Sequence, residues 1–224
     1  MRLNVSLNIR TIAALAGTLA VSVLLGPNRG LLVAAGNQQR EAKSPQALFE
    51  AGRFEQAVNA LRERPDSASP DATYLAGLSL MRLQRQDEAK AEFAKLSADE
   101  KPSEPTSWQL VGQSATALID GNTQGAIDTA KQAVQKDSGA FHAHYQLGLV
   151  LSAAEQWEPA AEAFDTASNI NPTFAYTHYF AGLAYSKIKR VSRMATHFET
   201  FLKLAPEAPE RPAVESLMRT VRGR

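Results

Sequence analysis

One offset constrains this chain more than any other feature. Gly148 and Gly182 stand 34 positions apart, and the same offset joins Leu151 to Tyr185, Phe164 to Phe198, Ala167 to Phe201 and Pro172 to Pro206. A unit of that length cannot bury its own apolar face, so it must stack on a neighbour, and a stack of like units is a solenoid. Counting backwards from Phe141 places earlier unit starts near Ser107 and Pro70, with three extra residues between them. Residues 101–106 absorb the extra length, because their two prolines stop a helix and form a loop. A partial unit comes first: residues 40–51 read as a weakly apolar helix, and 52–58 as a turn followed by the start of a second helix.

Within a unit the first helix carries apolar and small residues three or four apart, as in Tyr145, Leu147, Gly148 and Leu151. The second helix repeats the pattern with Ala160, Phe164 and Ala167, so each helix has one face to bury. Glycine costs about 1 kcal/mol against alanine inside a helix. Its recurrence at one phase, at 77, 148 and 182, therefore predicts a close approach of two helices. Asn171-Pro172 and Ala205-Pro206 end second helices, since the residue before a proline is pushed out of the helical region.

This pattern resembles the tetratricopeptide repeat, in which Leu147, Gly148, Leu151, Ala160, Phe164, Ala167 and Pro172 occupy the signature places. The following unit matches at Gly182, Tyr185, Phe198 and Pro206, and the unit from Pro70 at Gly77, Leu80, Ala89 and Phe93. The unit from Ser107 is divergent, with Ser114 for the glycine and Ala130 for the aromatic. The resemblance implies an all-α fold, a right-handed helix-turn-helix solenoid of about five units. Those units fall near 38–69, 70–106, 107–140, 141–174 and 175–208, within a solenoid spanning 37–208. Residues 209–224 are expected to form a capping helix with Ala213, Val214, Leu217, Met218 and Val221 in one apolar stripe. Glu210, Glu215, Arg219 and Arg222 are expected to stay in water.

The N-terminal stretch, residues 1–36, has a different character. No acidic residue precedes Glu41, and Arg2 and Arg10 lead into an almost wholly apolar run over 11–25. Basic then apolar is the order of an export signal. Either the segment is cleaved, with Val33-Ala34-Ala35 before Gly36 as the small-residue site, or it is retained as a membrane anchor. Some sixteen helical residues span about 24 Å against a hydrocarbon core of about 30 Å, so an anchor needs its flanks. Both readings place the rest of the chain across a membrane, with a bacterial periplasm or envelope as the expected location, and confine membrane contact to this segment.

Net charge is +1, which offers no concentrated basic surface for a nucleic acid. The chain has no cysteine, which removes thiol chemistry, disulfides and cysteine-based metal centres. His142 and His144 point about 200° apart on one helix and cannot share an ion, whereas coordinating pairs sit four apart. His144 and His178 hold equivalent places, which the family uses for packing between first helices. No phosphate loop or nucleophile elbow is present, so no catalytic residue, metal or cofactor is expected.

In the family, the first helices line the inner, concave surface. By phase those places hold Tyr74, Leu78, Trp108, Val111, His142, Tyr145, Leu149, Tyr176, Tyr179 and Leu183. The row is aromatic and aliphatic, and tyrosine and tryptophan dominate binding hot spots. Only Arg82 and Lys187 add charge, so an apolar segment of another protein is expected rather than a clamped carboxylate. Trp157 lies at a turn, where the family uses an aromatic for packing. The expected function is a non-catalytic scaffold holding a partner segment in the groove. A second reading is a structural or self-associating subunit whose inner face is covered by its own chain or by another copy.

Overall fold

The computed structural model describes residues 44–64, 69–97 and 105–222; the expected export signal or anchor lies outside them. Among the described residues there are eleven helices and no strand. They form five antiparallel pairs and a closing helix, in an all-α solenoid. The pairs are α1 (Pro45–Glu50) with α2 (Phe54–Arg62) and α3 (Pro70–Arg82) with α4 (Gln86–Lys95). There follow α5 (Ser107–Ile119) with α6 (Thr123–Lys136), α7 (Phe141–Ala153) with α8 (Trp157–Ile170), and α9 (Ala175–Lys187) with α10 (Val191–Leu204). Helix α11 (Arg211–Arg222) packs on α10. Among the described residues no helix is long and apolar enough to cross a membrane.

The same tight turn joins the two helices of every pair. Its middle residue is left-handed each time: Gly52, Gln84, Gly121, Glu155 and Lys189. Glycine adopts that conformation without strain, and the other three accept it to keep the antiparallel geometry. Between pairs the chain leaves the helix differently. Helices α8 and α10 stop immediately before Asn171-Pro172 and Ala205-Pro206. Asp137 and Asn171, equivalent positions, each fold a side-chain oxygen back onto the amide two residues on, at 3.0 and 3.2 Å. Three first helices start on side-chain caps, from Ser44, Ser69 and the Thr106 capping box with Gln109.

Three of the five pairs are locked by a contact that the glycine phase predicts. A Cβ on Gly77, Gly148 or Gly182 would lie 2.4, 2.6 or 2.6 Å from the ring of Phe93, Phe164 or Phe198 respectively. Those rings are fully buried and occupy the space that a side chain would fill. Successive pairs then stack with first helices in direct contact, α5 on α7 and α7 on α9. Ion pairs between neighbouring helix pairs add a polar exterior, as in Arg85–Glu55 at 2.8 Å and Lys90–Asp120 at 2.8 Å. Exposed pairs of this kind contribute at most about 1 kcal/mol each.

The C-terminal segment departs from expectation in two places. Ala213 is exposed rather than part of the buried stripe, which Val214 and Met218 carry. Glu210 does not stay in water: its side chain is 14 % exposed because Arg82 and Tyr176 draw it inward.

Replacing Gly148 by leucine should cost about 1–3 kcal/mol through overpacking against Phe164, although leucine is the better helix former. At Gly139 the nearest atom to a new Cβ is Asp137 Oδ1 at 3.5 Å, so alanine there should change stability by no more than about 0.5 kcal/mol. Urea unfolding followed by circular dichroism reads both.

Candidate functional site: a closed aromatic inner face

The residues expected to line an open groove are largely interior. Tyr74, Leu78, Tyr145 and Tyr176 are buried, Tyr145 to 1 % exposure, while Trp108, His142, Leu149 and Tyr179 are half-buried. They do lie on the first helices and do face inward. What differs is the space in front of them, because the stack curls until non-neighbouring pairs meet.

The divergent third pair contributes to that curl. Where the second, fourth and fifth pairs set glycine against phenylalanine, this one has Ser114 and Ala130, and the missing ring leaves room for polar atoms. The Tyr74 hydroxyl donates to Gln146 Oε1 at 2.8 Å, so α3 reaches α7 past the intervening α5. Gln146 Nε2 donates to Ser114 Oγ at 3.2 Å, and that hydroxyl donates to the Ala126 carbonyl at 2.8 Å. Every member of the thread is buried and partnered, as an interior polar group must be. Burial also pushes the Tyr74, Tyr145 and Tyr176 phenols well up, so they stay neutral.

The ends of the stack then touch. Phe49 of α1 lies 6.0 Å from Phe174 in a stacked arrangement and 5.1 Å from Tyr176 edge-on. Phe174 in turn meets Phe141 and Tyr145, so the first pair joins an aromatic cluster built by the last two. Beside Phe49, the Glu50 carboxylate accepts from the amide of Ala175, the first residue of α9, at 2.9 Å. Phe174, at the cap position of that helix, offers no side-chain bond, so a residue 125 positions away supplies it. The contact also sets negative charge at the positive end of the helix dipole. Burial raises the Glu50 pKa, against the hydrogen bonds from Ala175 and Gln46, which lower it.

A second tie lies across the same seam. The Arg82 guanidinium sits 4.7 Å from the Phe54 ring centroid and 5.1 Å from that of Tyr176, and it pairs with Glu210. Tyr176 donates its hydroxyl to the other Glu210 oxygen at 2.8 Å. Arg82 was expected to add charge to the groove; it is instead part of the closure. Farther out, Arg53 meets Glu207 at 3.0 Å with both half exposed. The left-handed Gly52 backs so closely on Pro209 that a Cβ would lie 2.8 Å from its ring.

The histidines serve the turns and the pair interfaces. His144 and His178, expected to pack first helices together, also do a shared local job. Each sets Nε2 against the carbonyl six residues earlier, Ser138 at 2.9 Å and Pro172 at 3.1 Å, closing the turn between pairs. His178 Nδ1 lies 3.2 Å from His197 Nδ1, and His197 Nε2 lies 2.9 Å from Asp165. Tyr185 donates to the same carboxylate at 2.5 Å. Burial would raise the Asp165 pKa, but the hydrogen bonds from His197 and Tyr185 hold it below the usual carboxylate range. His142 stacks flat on Trp108, centroids 3.5 Å apart, with Ser107 Oγ 3.3 Å from Nε2. Burial lowers its pKa to about 4. Trp157 begins α8 and lies 5.2 Å beneath the Lys187 ammonium. Among the described residues no group of three His, Asp or Glu side chains could hold a metal ion.

Sequence reasoning located the inner row by phase but missed Glu50, Glu210 and Asp165. Their partners lie in other units, and no periodic signal marks them.

No family model matches the chain, and no curated protein does. Among solved structures it is similar to YrrB, described as a TPR protein with an unusual peptide-binding site. Identity is 18 %, the match covers 77 % of this chain and 88 % of that one, and the TM-score is 0.48. It is also similar to MamA, at 20 % identity over 72 % of this chain and 94 % of that one, with a TM-score of 0.45. The Sgt2 TPR domain from Aspergillus fumigatus matches at 20 % identity over 53 % of this chain and 78 % of that one, with a TM-score of 0.47. The fold assignment rests on the helix pairs themselves.

A histidine held below its free value of about 6.5 stabilises the fold fully above that pH. The stabilisation from His142 should fade as pH falls from about 6.5 to about 4. In a Trp157→Phe background, Trp108 fluorescence should report the protonation of His142 with a midpoint near pH 4. A His142→Gln variant should have a flatter stability profile across that window. A midpoint between 6 and 7 would contradict the buried stack.

Proposed function

We propose that this chain is a non-catalytic protein-interaction scaffold of the cell envelope, which holds a segment of another protein against the aromatic inner face of its solenoid. One observation carries the reading. A six-residue helix, α1, already lies on that face with an aromatic side chain among Phe174 and Tyr176 and a carboxylate on the Ala175 amide. The surface thus accepts a short helical segment, one of the recurrent ways in which folded proteins capture peptides. The envelope location rests on the sequence of residues 1–36 alone, basic and then apolar. The alternative is a structural or self-associating subunit, and the same closure favours it to the extent that the inner face is satisfied within one chain.

Capture separates the two. Tyr179 and Leu149 are half-buried on the inner row, so changing both to alanine should reduce recovery of a cross-linked partner from the native envelope at least about tenfold, with helicity retained. Tyr145→Ala should act on the fold instead, costing about 3–5 kcal/mol, since its ring is core. Unchanged recovery in both variants, with the chain sedimenting as a defined oligomer, would favour the structural reading. A phosphatase fused after residue 43 should be active only outside the cytoplasm, which tests the location.

A further inference from the structure

Helix α1 has the properties of a ligand held in place by its own tether. It is six residues long and α2 is nine, against 13 or 14 in each helix of the last three pairs. A helix of one and a half turns does not persist in water unaided, so α1 is helical because it is docked. Its contacts project from one side, since Gln46, Phe49 and Glu50 are spaced i, i+3, i+4. Phe49 meets Phe174 and Tyr176, Glu50 accepts from the Ala175 amide, and the Gln46 amide group spans from Glu50 at 3.0 Å to the Thr173 carbonyl at 3.4 Å.

The joint is tight at its centre and weak around it. Phe49 is 2 % exposed, but beside it a carboxylate is buried, which opposes docking. The outer Arg53–Glu207 pair is half exposed and screened by salt. A cleft of about 230 Å³ runs along the seam between Ala47, Glu50 and Ala51 on one side and Leu204, Ala205 and Glu207 on the other. Water can enter a gap of that size, so the groups that line it are solvated and do not pack across the seam. Short elements with few buried contacts open first, ahead of the whole fold.

From these observations we infer that α1 is an internal pseudo-ligand, and that the partner is a helical segment of like chemistry, an amide side chain followed three and four residues on by an aromatic and a carboxylate, which takes its place on the N-terminal end of α9. The inference deepens the proposed function and rests on it. The receiving surface is Thr173, Phe174, Ala175 and Tyr176: a carbonyl, two rings and a helix-start amide. A tethered segment acts at an effective concentration of about millimolar, so a free segment competes poorly until the resident is removed or the incoming one binds more tightly.

The test uses the full chain and a fluorescein-labelled peptide of residues 44–52, with fluorescence anisotropy as the readout. The Phe49→Ala, Glu50→Ala double variant should bind the peptide at least about tenfold more tightly than the wild-type chain does. A peptide with alanine for its phenylalanine should bind neither. Equal affinity for both chains would overturn the competition. So would absence of binding to a double variant whose α1 amides exchange freely while α7 to α10 stay protected. That last result would leave the scaffold reading standing, to be judged by partner recovery. Should the double variant not fold, the wild-type chain decides: excess peptide should accelerate hydrogen exchange in α1, and no acceleration would reject the inference.

Discussion

The contact between a glycine and the phenylalanine of its partner helix sets the dimensions of everything else. At Gly77, Gly148 and Gly182 a ring occupies the volume of an absent side chain, so the two helices of a pair approach more closely than any larger residue allows. Close-packed interiors tolerate little change of volume, and the pair therefore behaves as one rigid block. Blocks of equal thickness stack with a constant step, and a constant step curves. The fold follows from that spacing, with the helix caps and left-handed turns serving to end each block on time.

The third pair breaks the rule, and the break is informative. Without a phenylalanine to hold, Ser114 uses its hydroxyl to link Gln146 and the Ala126 carbonyl, and Gln146 links onward to Tyr74. A hydrogen bond between α3 and α7 can form only if the stack curls hard between them. With that curl α1 arrives at α9, and Arg82 at Glu210. Beside its aromatic centre the seam buries a charge pair, Arg82 with Glu210, and such pairs add little net stability, because desolvation cancels most of their attraction. Their effect is geometric: a carboxylate on a helix start and an arginine between two rings fit one arrangement of the ends and not a neighbouring one.

How much of this was legible in the sequence depended on range. The helix pairs, the turn at Gly52, the proline stops and the close approach at the three glycines all follow from residues within one unit or one offset. The inward phase of Tyr74, Tyr145 and Tyr176 was legible too. That these rings are covered was not, because the covering groups come from other helices: Phe49 of the partial unit on Tyr176, Trp108 and Gln146 on Tyr74, and Phe180 on Tyr145. Glu210 was read as solvated because its neighbours on α11 are polar; its partners, Arg82 and Tyr176, are 128 and 34 positions away. The equivalence of His144 and His178 was visible, but their bond to the preceding turn depends on where a carbonyl points.

The central claim is that one chain closes its own solenoid, first pair against last. Pulsed electron resonance tests it most directly, since the chain has no cysteine and two labels can be placed at will. Gln56 and Lys203 are exposed, one on α2 and one on α10, and neither takes part in the seam contacts described above. Labels at both positions should give one narrow, short distance distribution in the full chain. A broad distribution extending to long distances would show an open stack with independent ends, and would contradict the account.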